Sequence, residues 1–198
     1  MSEILVVCGH PNLEVSRVNR EMVSALRADS TVTLHCLAEY FSNREFDVAT
    51  EQDRLACHDR IVLLFPMYWY SCPALMKQWI DDVFTPGFAY ARGGDKLRDK
   101  EFLVVTTIGA PESAYGAGGF NNHTIDELLR PLQQTVRYVK ARYLGFVSVY
   151  ESVFLSDDAL ADAVEKTVGE IKRSYDAPDL VYEKLLCKAE SAEIALIR

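Results

Sequence analysis

A group of polar residues separates the first apolar run of the chain, 4–8, from a segment with helical spacing that starts near Arg17. The group extends from Gly9 and His10 to Asn19, and Ser16 and Arg17 lie near its end. A strand, a polar turn and a helix in direct succession point backbone N–H groups at one position, which suits an anion such as phosphate. Ser16 and Asn19 add donors and Arg17 adds charge, so this turn is a predicted phosphate site. The alternative is that Ser16 only caps the helix and Arg17 is solvated.

Glycine patterns that bind nucleotides are missing from this turn. Neither G-x-G-x-x-G nor G-x-x-x-x-G-K-[ST] occurs in the sequence. The turn is therefore neither a classical dinucleotide fingerprint nor a Walker A loop.

Three consecutive aromatic residues follow the third apolar run, between Pro66 and Pro73. They are Tyr68, Trp69 and Tyr70. An aromatic cluster on a loop exposes apolar area unless something covers it, and a flat heteroaromatic ligand such as an isoalloxazine ring would do so by stacking. The alternative is that Trp69 and Tyr70 pack under the following helix.

A third candidate loop follows the fourth apolar run, which ends in Thr106 and Thr107. Threonine is an ordinary strand former, so these two residues need no functional explanation. If the two loops above converge beside them, however, their hydroxyls can donate hydrogen bonds to the polar edge of an isoalloxazine ring. The glycine-rich segment 109–123 carries Tyr115 and His123, the hydrogen-bonding groups best placed to face a second substrate. Each of the two, considered alone, is also typical of an ordinary surface position.

Apolar segments of strand and helix type alternate along the chain. The predicted strands are 3–8, 31–36, 60–65, 101–108 and 144–150, and the predicted helices are 17–28, 51–57, 74–84, 124–141 and 158–175. Strands that are apolar on both faces and separated by helices predict a parallel sheet covered on both sides. With right-handed crossovers, five strands favour an α/β, flavodoxin-like three-layer fold with strand order 2-1-3-4-5. All three candidate loops then lie at the carboxyl edge of the sheet.

Domain organisation follows from the same pattern. Residues 1–176 are predicted to form one domain, and 177–198 a C-terminal tail that packs on this domain or on a partner subunit. Leucines and an isoleucine suggest that the tail is helical: Leu180, Leu185, Leu186, Ile194 and Leu196.

Composition narrows the class of protein. The 198 residues have a formal net charge of −8 and no basic block, which argues against a nucleic-acid partner. No apolar stretch reaches the roughly 20 residues of a membrane span and no signal peptide is evident, so a cytoplasmic location is expected. Five scattered cysteines without a C-x-x-C pair, and four histidines without ligand spacing, predict reduced thiols and no metal site.

The three loops together resemble the flavodoxin-like NAD(P)H:quinone oxidoreductase family of the DT-diaphorase type. The match looks closest to the small bacterial branch that includes ancillary oxidoreductases of glutathione-gated potassium-efflux systems. The matching motifs extend over most of the chain: His10-Pro11 with Ser16-Arg17-x-Asn19, Pro66-Met67-x-Trp69-Tyr70-Ser71-x-Pro73, Lys77-x-Trp79-Ile80-Asp81-x-Val83-Phe84, Gly87-Phe88-Ala89-Tyr90 and Thr106-Thr107-x-Gly109.

The resemblance implies a flavin at the sheet edge. It assigns the phosphate to His10, Ser16, Arg17, Val18 and Asn19. It assigns the ring to Pro66, Met67, Tyr68, Trp69 and Tyr70, and the pyrimidine side of the ring to Thr106, Thr107, Ile108 and Gly109. FMN is favoured over FAD, because the chain lacks the long C-terminal domain of the FAD-binding animal enzymes.

The resemblance also implies an activity and an assembly. The expected reaction is ping-pong, with hydride passing from NAD(P)H to the flavin and two electrons then passing to a quinone. Tyr115 and His123 would stabilise charge or orient the quinone as catalytic residues. Ala110 replaces a glycine of the family's third loop, which alters the expected backbone there. Family members are homodimers with active sites at the interface, where residues such as Phe88 and Tyr90 reach across.

Two other functions share this fold and cofactor. The first is a regulatory flavoprotein subunit bound peripherally to a glutathione-gated potassium-efflux membrane protein. The second is a one-electron flavodoxin carrier. The long glycine-rich loops and the composition of the phosphate turn argue against the carrier.

Overall fold

A five-stranded parallel sheet forms the centre of the computed structural model, which describes residues 3–41 and 45–191. The strand order is β2-β1-β3-β4-β5, as predicted, with all neighbouring strands parallel. The strands are β1 (Ile4–Cys8), β2 (Val32–Cys36), β3 (Arg60–Pro66), β4 (Glu101–Thr107) and β5 (Arg142–Val149). Pro66, predicted to stop the third strand, is its last residue and pairs with Thr107. The carboxyl ends of β1, β3 and β4 carry the three candidate loops.

Helices follow each strand. They are α1 (Arg17–Ala28), α2 (Leu37–Tyr40), α3 (Val48–Ala56), α4 (Ala74–Val83), α5 (Ile125–Leu128), α6 (Arg130–Tyr138), α7 (Asp157–Lys172) and α8 (Pro178–Ser191). The first helix has the predicted bounds. The structure adds α2 and a 3-10 turn, Leu13–Val15, so the junction between β1 and α1 is less direct than the sequence suggested.

The predicted helix 124–141 was wrong as a single element. The chain forms α5 and α6 instead, with Leu129 (φ −87°, ψ 0°) between them. Pro131 lies in the first turn of α6, and proline cannot donate the backbone hydrogen bond that a continuous helix needs there. Thr124 and Glu127 form a capping box that fixes the start of α5.

The two faces of the sheet carry separate cores. One face packs against α3, α4 and α6, with Phe65, Trp79 and Phe102 among its buried side chains. The other packs against α1 and α7, with Met22 and Leu160 among its buried side chains. Cys8 and Cys36 are buried, unbridged thiols in this second core.

A bulge interrupts the edge strand β5. Phe102 pairs with Tyr143 and Val104 with Phe146, so Leu103 faces two residues of β5. One of these is Gly145, whose φ of +104° is unfavourable for other residues. The bulge therefore depends on glycine.

Helix α8 extends past the last helix that covers the sheet. Its apolar side chains Leu180, Val181, Tyr182 and Leu185 are all more than two-fifths exposed. Ile194 and Leu196 lie outside the described residues, so the packing predicted for the whole tail, on the domain or on a partner subunit, stays a prediction.

Candidate functional site

The loops after β1, β3 and β4 meet at a cavity of about 430 Å³. This volume falls within the range of small-molecule sites, about 300–1,000 Å³. Residues from four segments line it: His10, Val15, Ser16, Arg17, Val18, Asn19, Pro66, Met67, Tyr68, Thr107, Gly109, Ser152 and Val153. The structure thus brings together ten of the fourteen predicted cofactor residues, Ser16 and Asn19 among them.

The N-terminus of α1 opens into this cavity without a side-chain cap. Ser16 is in the N-cap position, yet its hydroxyl makes no capping hydrogen bond. Side chains cap the starts of α3, α5 and α7, where for example Asp47 accepts from Thr50 and Ser156 accepts from Ala159, but not those of α2, α4 and α6. The side-chain hydrogen bond of the alternative, with Ser16 as a simple cap, is therefore not formed. The first N–H groups of α1 are left for an anion in the cavity.

Asn19 connects the first and third loops. Its Nδ2 donates to Thr107 Oγ1 (2.9 Å) and to Ser16 Oγ (3.2 Å). Its Oδ1 is buried and has no hydrogen-bond partner among the described residues. A buried amide oxygen normally has a donor, so a ligand with a hydroxyl or N–H group would complete this site.

His10 has a defined tautomer. Its Nδ1 accepts the N–H of Asn12 (3.1 Å), so the ring proton lies on Nε2, 3.5 Å from the Tyr68 hydroxyl. Burial lowers the pKa of His10 below its ordinary value, which keeps the imidazole neutral. His10 therefore presents one N–H donor beside Tyr68.

Arg17 lies at the cavity but its guanidinium group is already paired. It donates to the carbonyl oxygen of Leu155 and forms an ion pair with Asp157 (2.5 Å). The charge predicted for a phosphate is thus directed toward α7, and the backbone of Arg17 is the part that belongs to the helix N-terminus.

The aromatic loop forms a tight turn with two left-handed residues. Tyr68 and Ser71 exchange backbone hydrogen bonds (2.9 and 3.1 Å), and Trp69 and Tyr70 between them have φ values of +46° and +66°. This is the conformation of a type I′ turn, which normally contains Asn-Gly. Trp69 is 92% exposed, so it does not pack under the following helix as the alternative proposed. The Tyr70 hydroxyl donates to Asn121 (3.1 Å).

The third loop contributes fewer groups to the cavity than predicted. Thr107 and Gly109 line it, whereas Thr106 is buried with its Oγ1 unpartnered among the described residues. Ile108 is buried and its N–H already donates to Val149 (2.8 Å).

Neither predicted catalytic residue lines the cavity. Tyr115 lies beside Tyr150 with ring centroids 6.2 Å apart, and burial raises the pKa of its hydroxyl. His123 is mostly exposed, with its Nδ1 3.9 Å from Glu127. Their catalytic roles stay predictions.

Val15, Ser152 and Val153 also line the cavity and were not predicted. The last two directly follow β5, where Ser152 donates its N–H to Ile108 (2.9 Å). Their position after a strand was a usable signal, because all five strands end at the same edge.

Residues 3–41 and 45–191 lack two further kinds of feature. Three or more metal-ligating side chains do not come together anywhere in this part of the chain. None of its helices combines the length and hydropathy needed to span a bilayer.

Several curated proteins are similar to this chain. "Uncharacterized NAD(P)H oxidoreductase YdeQ" of Bacillus subtilis is 40% identical over 190 residues, 96% of each chain. "Uncharacterized NAD(P)H oxidoreductase YrkL" of the same organism is 45% identical over 171 residues, 86% of this chain and 98% of the relative. The "glutathione-regulated potassium-efflux system ancillary protein KefG" of Cronobacter sakazakii is 36% identical over 75% of this chain and 81% of the relative.

Solved structures are similar as well. An NADPH-quinone reductase from P. pentosaceus has a TM-score of 0.79 and 34% identity, covering 87% of this chain and 99% of that one. General stress protein 14 from Treponema denticola, in complex with FMN, has a TM-score of 0.80 and 31% identity, covering 85% and 97%.

A family model also matches most of the chain. It covers residues 2–173 and is described as the flavodoxin-like fold. Its description agrees with the strand order of the sheet. The chain belongs to this flavodoxin-like family.

Proposed function

We propose that the protein is a flavin-dependent NAD(P)H:quinone oxidoreductase. The uncapped N-terminus of α1 carries this proposal, because it opens into the same cavity as the aromatic loop. That combination suits a ligand with an anionic end and a flat ring. Relatives named NAD(P)H oxidoreductase and a neighbour named NADPH-quinone reductase support an oxidoreductase.

The residues present fit FMN. Its phosphate would meet the N–H groups of α1 beside Ser16, and the unpartnered Asn19 oxygen would accept from a ligand hydroxyl. Pro66, Met67 and Tyr68 would form one wall for the ring. The FMN complex of the Treponema denticola protein supports this cofactor over FAD.

Bound flavin supplies a two-electron carrier between NAD(P)H and the quinone, in a ping-pong sequence. The protein would hold the ring at the sheet edge and place fixed donors around it. His10 would contribute its Nε2–H without carrying a charge. Burial raises the pKa of Tyr115 further above its ordinary value, so its hydroxyl would stay protonated and would orient a quinone oxygen by donating a hydrogen bond.

A homodimer would cover the cavity. Several apolar side chains near it are exposed in one chain: Val15, Trp69, Phe120, Val153 and Phe154. Patches of this kind mark interaction sites. Phe88 and Tyr90 were expected to reach the partner subunit. In the single chain Phe88 is buried in the core, and the rings of Tyr90 and Tyr138 pack with their centroids 5.9 Å apart. The cytoplasmic location is proposed with this activity.

The test is a cofactor and turnover experiment on the purified protein. We expect a flavin spectrum with FMN released on denaturation, bleaching by NADPH or NADH, and recovery when a simple benzoquinone is added. Initial rates at varied donor and acceptor should give parallel double-reciprocal lines. A protein that binds no added FMN and oxidises neither nucleotide would exclude this function.

A regulatory role is the second candidate, favoured by the similarity to KefG. In that case the flavoprotein would bind a potassium-efflux membrane protein, and its turnover would be incidental. Measuring glutathione-gated efflux in cells with and without the gene separates the two. Unchanged efflux beside strong quinone reduction supports the enzyme alone.

A further inference from the structure

Two cysteines face each other at the carboxyl ends of neighbouring strands. Cys8 is the last residue of β1 and Cys36 is the last residue of β2, and the two are direct partners in the parallel register. Both side chains point to the face of the sheet that packs against α1 and α7. Adjacent strands lie about 4.8 Å apart, and disulfides join residues whose Cα atoms are about 4.4–6.8 Å apart. This thiol pair therefore has the separation that a disulfide needs.

The two thiols also interact with each other inside the core. Cys8 is 1% exposed and Cys36 is 2% exposed. The hydrogen bond between them lowers the pKa of Cys36 and raises that of Cys8, and burial raises the pKa of Cys8 further. Cys8 is therefore the donor of this hydrogen bond, and the sulfur of Cys36 is the one that more readily becomes a thiolate. The thiolate is the form of cysteine that reacts with oxidants.

An ion pair at the surface adjoins the sulfur of Cys36. The guanidinium group of Arg27 helps to lower the pKa of Cys36, while the carboxylate of Glu39 opposes this effect. Arg27 and Glu39 pair with each other at 2.9 Å, and their side chains are 61% and 52% exposed. Both residues line a cavity of about 590 Å³ beside α1. A small solute in this cavity is thus separated from Cys36 by an exposed ion pair, whereas the burial of both sulfurs excludes bulky oxidants.

We propose that Cys8 and Cys36 form a redox modification site, which a small hydroperoxide such as hydrogen peroxide converts into a disulfide. Both residues are free thiols in the structure described here. Gly9 and His10 directly follow Cys8, so the modification adjoins the first loop of the candidate cavity. Neither thiol lines that cavity, and the proposal does not depend on the flavin function.

The oxidation proceeds in two balanced steps. The Cys36 thiolate attacks one oxygen of the hydroperoxide, so that an S–O bond forms and the O–O bond breaks. The leaving oxygen takes up the proton that Cys36 had released, which gives water or an alcohol. The Cys8 sulfur then attacks the sulfur of the sulfenic acid, an S–S bond forms, and the S–O bond breaks to release water with the Cys8 proton. Two thiols lose two electrons in all and one hydroperoxide gains them, and a dithiol reductant reverses the change.

Peptide mapping of the oxidised protein tests the proposal. The test protein keeps only the thiol pair, because Cys57→Ser, Cys72→Ser and Cys187→Ser remove the other thiols. The folded protein is treated with hydrogen peroxide, alkylated and digested with trypsin. We expect the peptides 1–17 and 28–44 to be recovered joined to each other, and to separate after reduction. The unchanged chain, mapped in the same way, should give the same joined peptides.

Two matched variants of the test protein check the order of the steps. Cys8→Ala leaves Cys36 without a partner thiol, so hydrogen peroxide should add oxygen to Cys36 instead of forming a disulfide. Cys36→Ala leaves Cys8, which should react roughly tenfold more slowly, because burial still raises its pKa. Circular dichroism shows whether each variant is folded.

Three results would overturn the proposal. The first is that the folded test protein keeps both thiols under conditions that oxidise the same protein in concentrated urea. The second is that the disulfide joins two chains rather than the two strands of one chain. The third is that Cys8 is oxidised as fast as Cys36 in the two single-thiol variants, because the pair would then lack a reactive member.

Discussion

Asn19 holds two loops of the cavity together through one amide group. Its Nδ2 donates hydrogen bonds to both Ser16 and Thr107, while its Oδ1 has no donor among the described residues. The residue therefore positions the α1 N-terminus against the end of β4. Loss of the amide should affect ligand binding more than folding, because both partner hydroxyls are beside the cavity and can turn to water.

We expect Asn19→Ala to raise the Kd for FMN roughly 3- to 10-fold, since a net neutral hydrogen bond contributes about 0.5–1.5 kcal/mol. Quenching of flavin fluorescence during titration measures this. Ser24→Ala, an exposed change on the same helix, is the control and should leave the Kd unchanged. Equal effects of the two substitutions would contradict the role given to Asn19.

Gly9 is required by packing rather than by backbone conformation. A Cβ atom there would lie 2.8 Å from Met76 Cβ, and Met76 is fully buried. We expect Gly9→Ala to reduce the free energy of unfolding by about 1–3 kcal/mol, because a filled core cannot absorb another methyl group. Urea denaturation measures it. Gly169→Ala, with open space around its Cβ position, should not destabilise the protein.

At the scale of elements, the turn after β3 combines strain with exposure. Trp69 and Tyr70 are both left-handed, a conformation that costs non-glycine residues about 1–3 kcal/mol each. Such strain is common at binding sites, where it fixes a side chain that a relaxed turn would lose. The exposed Trp69 ring is the side chain that this turn presents.

We expect Trp69→Gly to raise the free energy of unfolding by about 1 kcal/mol, because it relieves strain. It should also weaken FMN binding, because it loosens the turn that holds Tyr68 at the cavity wall. Thermal denaturation without ligand and fluorescence titration give the two values. A variant that is more stable and binds FMN with an unchanged Kd would show that Trp69 does not contribute to flavin binding.

The sequence predicted the order of strands well because the strands are short, largely apolar runs separated by helical segments, and right-handed crossovers leave few orders for them. It predicted the α1 turn and the aromatic loop because both follow such runs directly. It missed the break at Leu129, where one proline outweighed a continuous helical pattern. Val15, Ser152 and Val153 carry no distinctive chemistry; the only sequence signal for Ser152 and Val153 was their position after β5, and Val15 had none.

At the scale of the whole molecule, one buried carboxylate, that of Glu51, contributes to the stability of the fold. Glu51 Oε2 accepts from Trp79 Nε1 and lies within hydrogen-bond distance of His35 Nε2, both at 2.8 Å. Burial alone would raise the pKa of Glu51, but these two contacts outweigh it and hold the pKa below its ordinary value of 4.5. The stabilisation is therefore complete above pH 4.5 and is lost as the pH falls through the lowered pKa.

We expect Glu51→Gln to lower the free energy of unfolding at pH 7 by about 1–3 kcal/mol, because hydrogen bonds to a buried charge are strong. The difference from the unchanged protein should shrink as the pH falls below 4.5. Urea denaturation between pH 7 and pH 3 measures it. Asp81→Asn, on the exposed surface, serves as the comparison. A constant difference across this range would show that the carboxylate charge is not involved.

The bulge at Gly145 has a consequence for self-association. An edge strand with a regular backbone is a template on which another sheet can grow, and proteins avoid this with short or distorted edges. Here the extra residue in β5 breaks the spacing of its outward N–H and C=O groups. Two copies of this protein are thereby discouraged from joining through β5 into a continuous sheet, the first step toward a fibril.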